Sequence, residues 1–152
     1  YSKGEQYSSG KAISYTADNY TVKPSIDFSP SWCAFSYEGE FSFYNSKRQK
    51  MAKSSLFNWH QSVSATATIS HVDLSFSLVH YHNELQESNH LNTLLGDASA
   101  VWRMKKLRLS AELRNLFNKK NYMETIYSGI STLTDSYHLR PRELMISAQY
   151  SF

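Results

Sequence analysis

One cysteine, Cys33, is all the thiol chemistry this sequence has. That excludes an intrachain disulfide and a CxxC metal site. Glycine and proline are scarce, five and three residues, so few positions break regular structure. No apolar run reaches the ~18 residues of a membrane-spanning helix. No dense basic block stands out in a net charge of +3, which argues against nucleic-acid binding. A signal-peptide pattern and an initiating Met are both missing at Tyr1, so the chain reads as processed or as a piece of something longer.

What is abundant is tyrosine, phenylalanine, serine and threonine, a composition that favours β structure. A mean hydropathy of −0.51 looks soluble. Averages, however, hide a strand that is apolar on one face and polar on the other. Parity shows it. Along the last stretch Leu144, Ile146, Ala148, Tyr150 and Phe152 fall on one face and Glu143, Met145, Ser147, Gln149 and Ser151 on the other. Cys33, Phe35, Tyr37, Gly39, Phe41 and Phe43 oppose Ala34, Ser36, Glu38, Glu40 and Ser42. Similar alternation marks strands near 20–28, 57–69, 72–81, 94–104 and 107–114, about seven in all. Pro24 inside the first of them marks an edge or bulge. Residues 1–16 show no clear period and read as loop or frayed strand end, with the strands filling 17–152.

The connections alternate. Those at 29–31, 69–72 and 104–106 are tight, and those at 45–55, 83–92 and 118–137 are longer and polar, the last tipping near Ser128-Gly129. Short turns at one end and long loops at the other are the habit of outer-membrane barrels. Parity does not say which face points inward. A soluble ligand-binding barrel would turn the apolar face in. Charges confined to the other face, and aromatics (Phe35, Trp59, Trp102, Tyr150, Phe152) at strand ends as well as middles, favour the apolar face outward. The fold expected is an all-β, antiparallel, up-and-down transmembrane barrel. Seven strands would leave two open edges in lipid, so the chain reads as the C-terminal part of a larger barrel.

The last third resembles a known family. Asn115-Leu116-Phe117-Asn118 followed by Tyr122 looks like the penultimate strand of TonB-dependent outer-membrane receptors, and the segments from Tyr127 to Arg142 and at Tyr150-Ser151-Phe152 resemble Bacteroidota versions. The resemblance implies a barrel of about 22 strands with a plug in its lumen, serving energised nutrient uptake in the bacterial outer membrane. Its implied partners are outer-membrane lipid, the rest of the barrel and the plug, TonB acting through that plug, the barrel assembly machinery and a surface lipoprotein. Leu144, Ile146, Ala148, Tyr150 and Phe152 would then form the assembly signal. The resemblance implies no enzyme and no cofactor.

Other candidate sites read more plainly. Arg103, Arg108, Glu112, Arg114 and Glu143 are expected to face the lumen and one another across strands, an ordinary use of charge in a sheet. His80 and His82 share a face, but a metal needs more ligands and an enclosed geometry. No nucleophile motif such as G-x-S-x-G accompanies the many Ser and His. Lys47, Arg48, Lys50 and Lys53 read as a solvated loop. The alternative is a self-contained eight-stranded barrel, with 1–16 supplying a strand, acting as an adhesin, a structural protein or a lipid-modifying enzyme.

Overall fold

The computed structural model describes residues 2–8, 11–48, 53–84, 90–128 and 131–152. The fold is all-β and antiparallel. Its strands are β1 (Ser2–Ser8), β2 (Lys11–Val22), β3 (Ser25–Phe28), β4 (Cys33–Arg48), β5 (Ser54–Ile69), β6 (Val72–Glu84), β7 (His90–Arg103), β8 (Leu107–Arg114), β9 (Asn121–Ser128), β10 (Ser131–His138) and β11 (Glu143–Tyr150). One sheet runs in the order β1-β2-β4-β5-β6-β7-β8-β11, with β3 also on β4, and β9 and β10 form a separate two-stranded sheet. Neither β1 nor β3 pairs with β11, so the sheet is open rather than closed into a barrel.

Register turns the sequence parity into rows. Phe28, Phe35, Ala65, Phe76, Ala98, Leu113 and Leu144 lie side by side across the sheet. The next row holds Cys33, Ala67, Leu74, Ala100, Ala111 and Ile146. Every one of these residues comes from the apolar parity of its strand. The polar parity makes the other face.

Pro24 divides β2 from β3. With no N–H of its own it cannot continue the ladder. The chain kinks there, Pro24 O accepts from Gly39 N at 2.8 Å, and β3 resumes pairing on the lower half of β4. At the lower end the turns are tight. Only Ser70 and His71 join β5 to β6, with Ser70 at φ 56°.

Three readings change. Residues 2–8 and 11–16 are paired strand, not loop. Their apolar residues Ile13, Tyr15 and Ala17 take the opposite parity from Tyr20 and Val22 on the same strand, and this switch hides the alternation. The longer connections are also shorter than their polarity suggested: β4 and β5 run to Arg48 and from Ser54, and β6 and β7 to Glu84 and from His90. Lys50 and the Gly129 tip lie outside the described residues. Finally, the charges on the polar face meet across strands only in part: Glu143 stands opposite Arg114, as expected, but the ion pairs run elsewhere. Arg103 stands beside Arg108 in register yet bridges to Asp73, and Arg114 bridges to Glu112 on its own strand. All four bridging groups are at least partly exposed, so water screens both bridges and they add little to stability.

Burial is distributed against the habit of soluble sheets. The most buried hydrophobic side chains are Ala17, Tyr44 and Leu56, at 5–9% exposure. All three belong to the polar-parity face, as do the buried Asn83 and Thr93. On the other face several large hydrophobics are exposed, Leu144 at 64%, Ile146 at 75% and Phe35, Leu74 and Phe76 near 40%, and others such as Trp59, Val63, Leu78 and Leu113 are half-buried.

Candidate functional site

Two surfaces have functional character, one on each face of the sheet. On the apolar-parity face, no Asp, Glu, Lys or Arg occurs between Trp59 and Ile69 of β5 or in the rows those residues share with neighbouring strands. Aromatic rings gather at both ends. Above lie Phe41, Phe43, Phe57 and Trp59, with Phe43 and Phe57 stacked at 4.7 Å. Below lie Trp102, Tyr150 and Phe152, all exposed, with the last two edge to face at 5.3 Å. Between them a shallow groove of ~550 Å³ follows a line of small residues, Ala65, Ala67, Ala98, Ala100 and Ala111, walled by Phe35, Phe76 and Leu144.

His80 and His82 lie on this same face, at the upper aromatic level. Each meets the Trp59 ring edge-on, at 5.2 and 5.8 Å. His82 Nδ1 is 2.8 Å from Asn92 Oδ1, which engages that nitrogen in an amide hydrogen bond. Among the described residues no group of three or more His, Cys, Asp or Glu is placed to hold a metal.

The second surface is a polar pocket of ~310 Å³ on the other face. Glu40 and Ser42 of β4, Asn58 and His60 of β5, and Tyr81 and Asn83 of β6 build its floor. Tyr122 and Thr125 of β9 cover part of it. Rings run from floor to cover: His60 stacks on Tyr81 at 4.5 Å and 8°, Tyr81 meets Tyr122 at 4.7 Å, and Tyr122 stacks with Tyr137 at 6.0 Å. Asn83 Nδ2 donates to Met123 O at 3.1 Å, and Thr125 is 6% exposed. Glu40 is held at 3.0 Å by Lys23. Asn19 of β2 completes the lining, and no sequence motif marked the pocket, because its members come from five strands and meet only through register.

The Asn115–Asn118 turn is what brings β9 over the pocket. β8 stops at Arg114, and Asn115 and Asn118 both take left-handed backbone, φ 51° and 50°. Asparagine enters that region more easily than most residues. Its amide also both donates and accepts. Asn115 Oδ1 accepts from Lys119 N at 2.8 Å, while Asn115 Nδ2 donates to Lys119 O at 2.8 Å and to Arg140 O at 2.7 Å. Asn118 Oδ1 accepts from Arg142 N at 3.1 Å. Asp97 Oδ1 takes the Asn115 N–H and Gly96 O the Leu116 N–H, both at 2.8 Å. Leu116 and Phe117 pack over Gly96, where a Cβ would lie 3.1 Å from the Phe117 ring. Asp97 and Gly96 were not singled out in the sequence, since their role exists only once β7 lies beside the turn.

The remaining sequence candidates are placed as follows. Leu144, Ile146, Ala148 and Tyr150 share the apolar-parity face of β11, opposite Leu113, Ala111, Leu109 and Leu107 of β8. Phe152 follows, fully exposed. Arg103, Arg108, Glu112, Arg114 and Glu143 share the polar-parity face, and Glu143 sits opposite Arg114. No protein-family model, no curated protein and no solved structure gives a significant match to this chain.

Proposed function

We infer that this chain is the C-terminal wall segment of a TonB-dependent outer-membrane receptor, a structural part of a transporter for energised nutrient uptake. One observation carries the reading: a face free of formal charge along eleven residues of β5 and the rows they share, on which Phe35, Phe76 and Leu144 stand exposed, while the buried hydrophobics Ala17, Tyr44 and Leu56 lie on the opposite, polar-parity face. In water such a face has no partner. In a bilayer it meets hydrocarbon. Trp59 to Ile69 spans about 34 Å at ~3.4 Å per residue, or ~26 Å when tilted by ~40°, close to the ~25 Å apolar band of such barrels. The rings above and below this band lie where interfacial girdles belong. A soluble ligand-binding barrel would bury Phe35, Phe76 and Leu144, and these are exposed.

The open edges support a segment of something larger. β3 and β11 each present unpaired backbone, which lipid cannot satisfy. Further strands would complete the wall, a plug would dock against the polar face, and TonB would act through that plug. The assembly machinery would read Leu144, Ile146, Ala148, Tyr150 and Phe152, and a surface lipoprotein would meet the long-loop end. Two tests apply. Coding sequence upstream of the Tyr1 codon should encode further alternating strands and a plug, and a start codon at or just before Tyr1 would sink the reading. Deleting Phe152 from the full-length receptor should cut its recovery in the outer-membrane fraction severalfold, and unchanged recovery counts against the assembly role.

A self-contained eight-stranded barrel is favoured by one fact: the sheet's continuous order holds eight strands, counting β1. Heat-modifiable migration of the isolated chain as a monomer in detergent would select that alternative.

A further inference from the structure

The lower end of the sheet carries charge of one sign. From Val101 to Leu109 the chain has four cations, Arg103, Lys105, Lys106 and Arg108, and no acid. The tight connections at 29–32 and 70–71 bring no acid to this end either. Arg103 and Arg108 belong to the polar-parity face, and Arg103 has its partner in Asp73. Lys105 and Lys106 form the exposed tip between β7 and β8, and neither makes an ion pair among the described residues. Their backbone is held from both sides. Met104 N–H to Leu107 O closes the turn, Arg103 N–H reaches His71 O, and Ser151 N–H reaches Lys106 O, each at 2.8 Å. Next to the tip on the apolar-parity face stand the exposed rings of Trp102 and Tyr150. One row further up, ~7 Å of strand from Trp102, Leu74, Ala100 and Ala111 open the apolar groove.

We propose that Lys105, Lys106 and the lower groove form a binding site for one anionic glycerophospholipid, its phosphate on the two ammonium groups and an acyl chain along the groove. The inference rests on the membrane reading and adds a lipid class to the apolar face. Its basis is an order of chemistries along one lane of the surface. Cations at the tip are followed by amphipathic rings and then by uncharged groove. A phospholipid presents phosphate, ester-linked glycerol and hydrocarbon in that same order. Trp N–H and Tyr O–H groups serve the middle level, where one end of the ring is wet and the other apolar. An acidic protein surface would match the lysines but leave the groove uncovered. Two adjacent ammonium groups on a fixed turn also repel each other, and a bound phosphate relieves that repulsion. Arg103 and Arg108 stay out of the site, because their parity turns them to the other face.

The test offers the full-length protein in detergent equal amounts of dioleoyl phosphatidylglycerol and dioleoyl phosphatidylcholine and counts retained lipid by native mass spectrometry. The parent should retain the anionic lipid over the zwitterionic one by about tenfold, and Lys105→Gln with Lys106→Gln should bring the two to within about twofold of each other. Lys105→Arg with Lys106→Arg should keep the preference, since the site needs charge at the tip. Lys47→Gln with Lys53→Gln, exposed at the opposite end of the sheet, should keep it too. No preference in the parent overturns the site, and so does an equal loss from the two Gln pairs, which would mean attraction to net charge alone. Ala100→Phe obstructs the groove and should lower retention of phosphatidylglycerol severalfold, and unchanged retention overturns the acyl lane. Reconstitution separates this inference from the reading beneath it. A protein whose strands are protected from protease in phosphatidylcholine vesicles, yet which shows no lipid preference, sinks the site alone. A protein that inserts into no vesicle sinks both.

Discussion

Asn115 shows how much one side chain can hold. Its amide serves three backbone groups on two legs of a hairpin while its own backbone sits at φ 51°. Replacing it with Ala strands those groups and keeps a left-handed backbone that alanine resists, so about 2–3 kcal/mol of stability should be lost. Asn118 separates the two effects. It has the same left-handed backbone, but its side chain accepts a hydrogen bond from Arg142 N alone among the described residues. Asn118→Gly relieves the backbone and loses one bond, and should change stability by less than ~1 kcal/mol. Asn118→Val loses the bond and is sterically opposed, and should cost about 2 kcal/mol or more. Denaturant midpoints of the folded full-length protein measure all three. Equal losses for the Gly and Val variants would mean that the backbone conformation is unimportant.

At the scale of elements, β7 and the turn after β8 depend on each other. Gly96 lies under Leu116 and Phe117, with Ser77 O 3.3 Å from where a Cβ would sit. A branched side chain there cannot be accommodated without lifting the turn. Gly96→Val should therefore cost about 1–3 kcal/mol as an overpacking change and loosen the hairpin root. Elements of this kind also show what the sequence disclosed. The middles of the strands between Cys33 and Arg103, β8 and β11 were legible because one face carries mostly apolar residues and no formal charge, while the upper ends, where Gln61, His80, His82 and Asn92 enter that face, read as loop or weak strand. β1 and the start of β2 were not, because Tyr15 and Ala17 pack with Tyr44 and Leu56 on the polar-parity face, against the alternation of the rest of the strand. The motif at Asn115–Asn118 was legible as a pattern, but its work was not. Asp97, Gly96 and Arg140 stand 18, 20 and 25 residues from their partners in the turn, and only strand pairing joins them.

For the molecule as a whole, the question is what touches the apolar face. Leu74 lies in the row between Ala67 and Ala100, inside the stretch without formal charge, and is 42% exposed. If water covers it, Leu74→Arg exchanges one half-exposed side chain for another and should move stability by no more than ~0.5 kcal/mol. If hydrocarbon covers it, the guanidinium enters the apolar band one row inside its lower edge, where such a charge costs more than at the interface, toward the ~2–4 kcal/mol of a barrel's midplane. Ser64→Arg supplies the contrast, since Ser64 is exposed on the polar face, opposite Ser77. A charge there faces the lumen or water in either case and should be nearly neutral. The membrane reading thus requires a large loss for Leu74→Arg and a small one for Ser64→Arg, measured by denaturant unfolding of the full-length protein in lipid vesicles. Depth adds a further constraint. Ile69→Arg, on the same face at the turn end of β5, should cost less than Leu74→Arg, because the penalty falls toward ~0–1 kcal/mol near the interface. A uniform penalty across the three sites would point to packing, not to lipid.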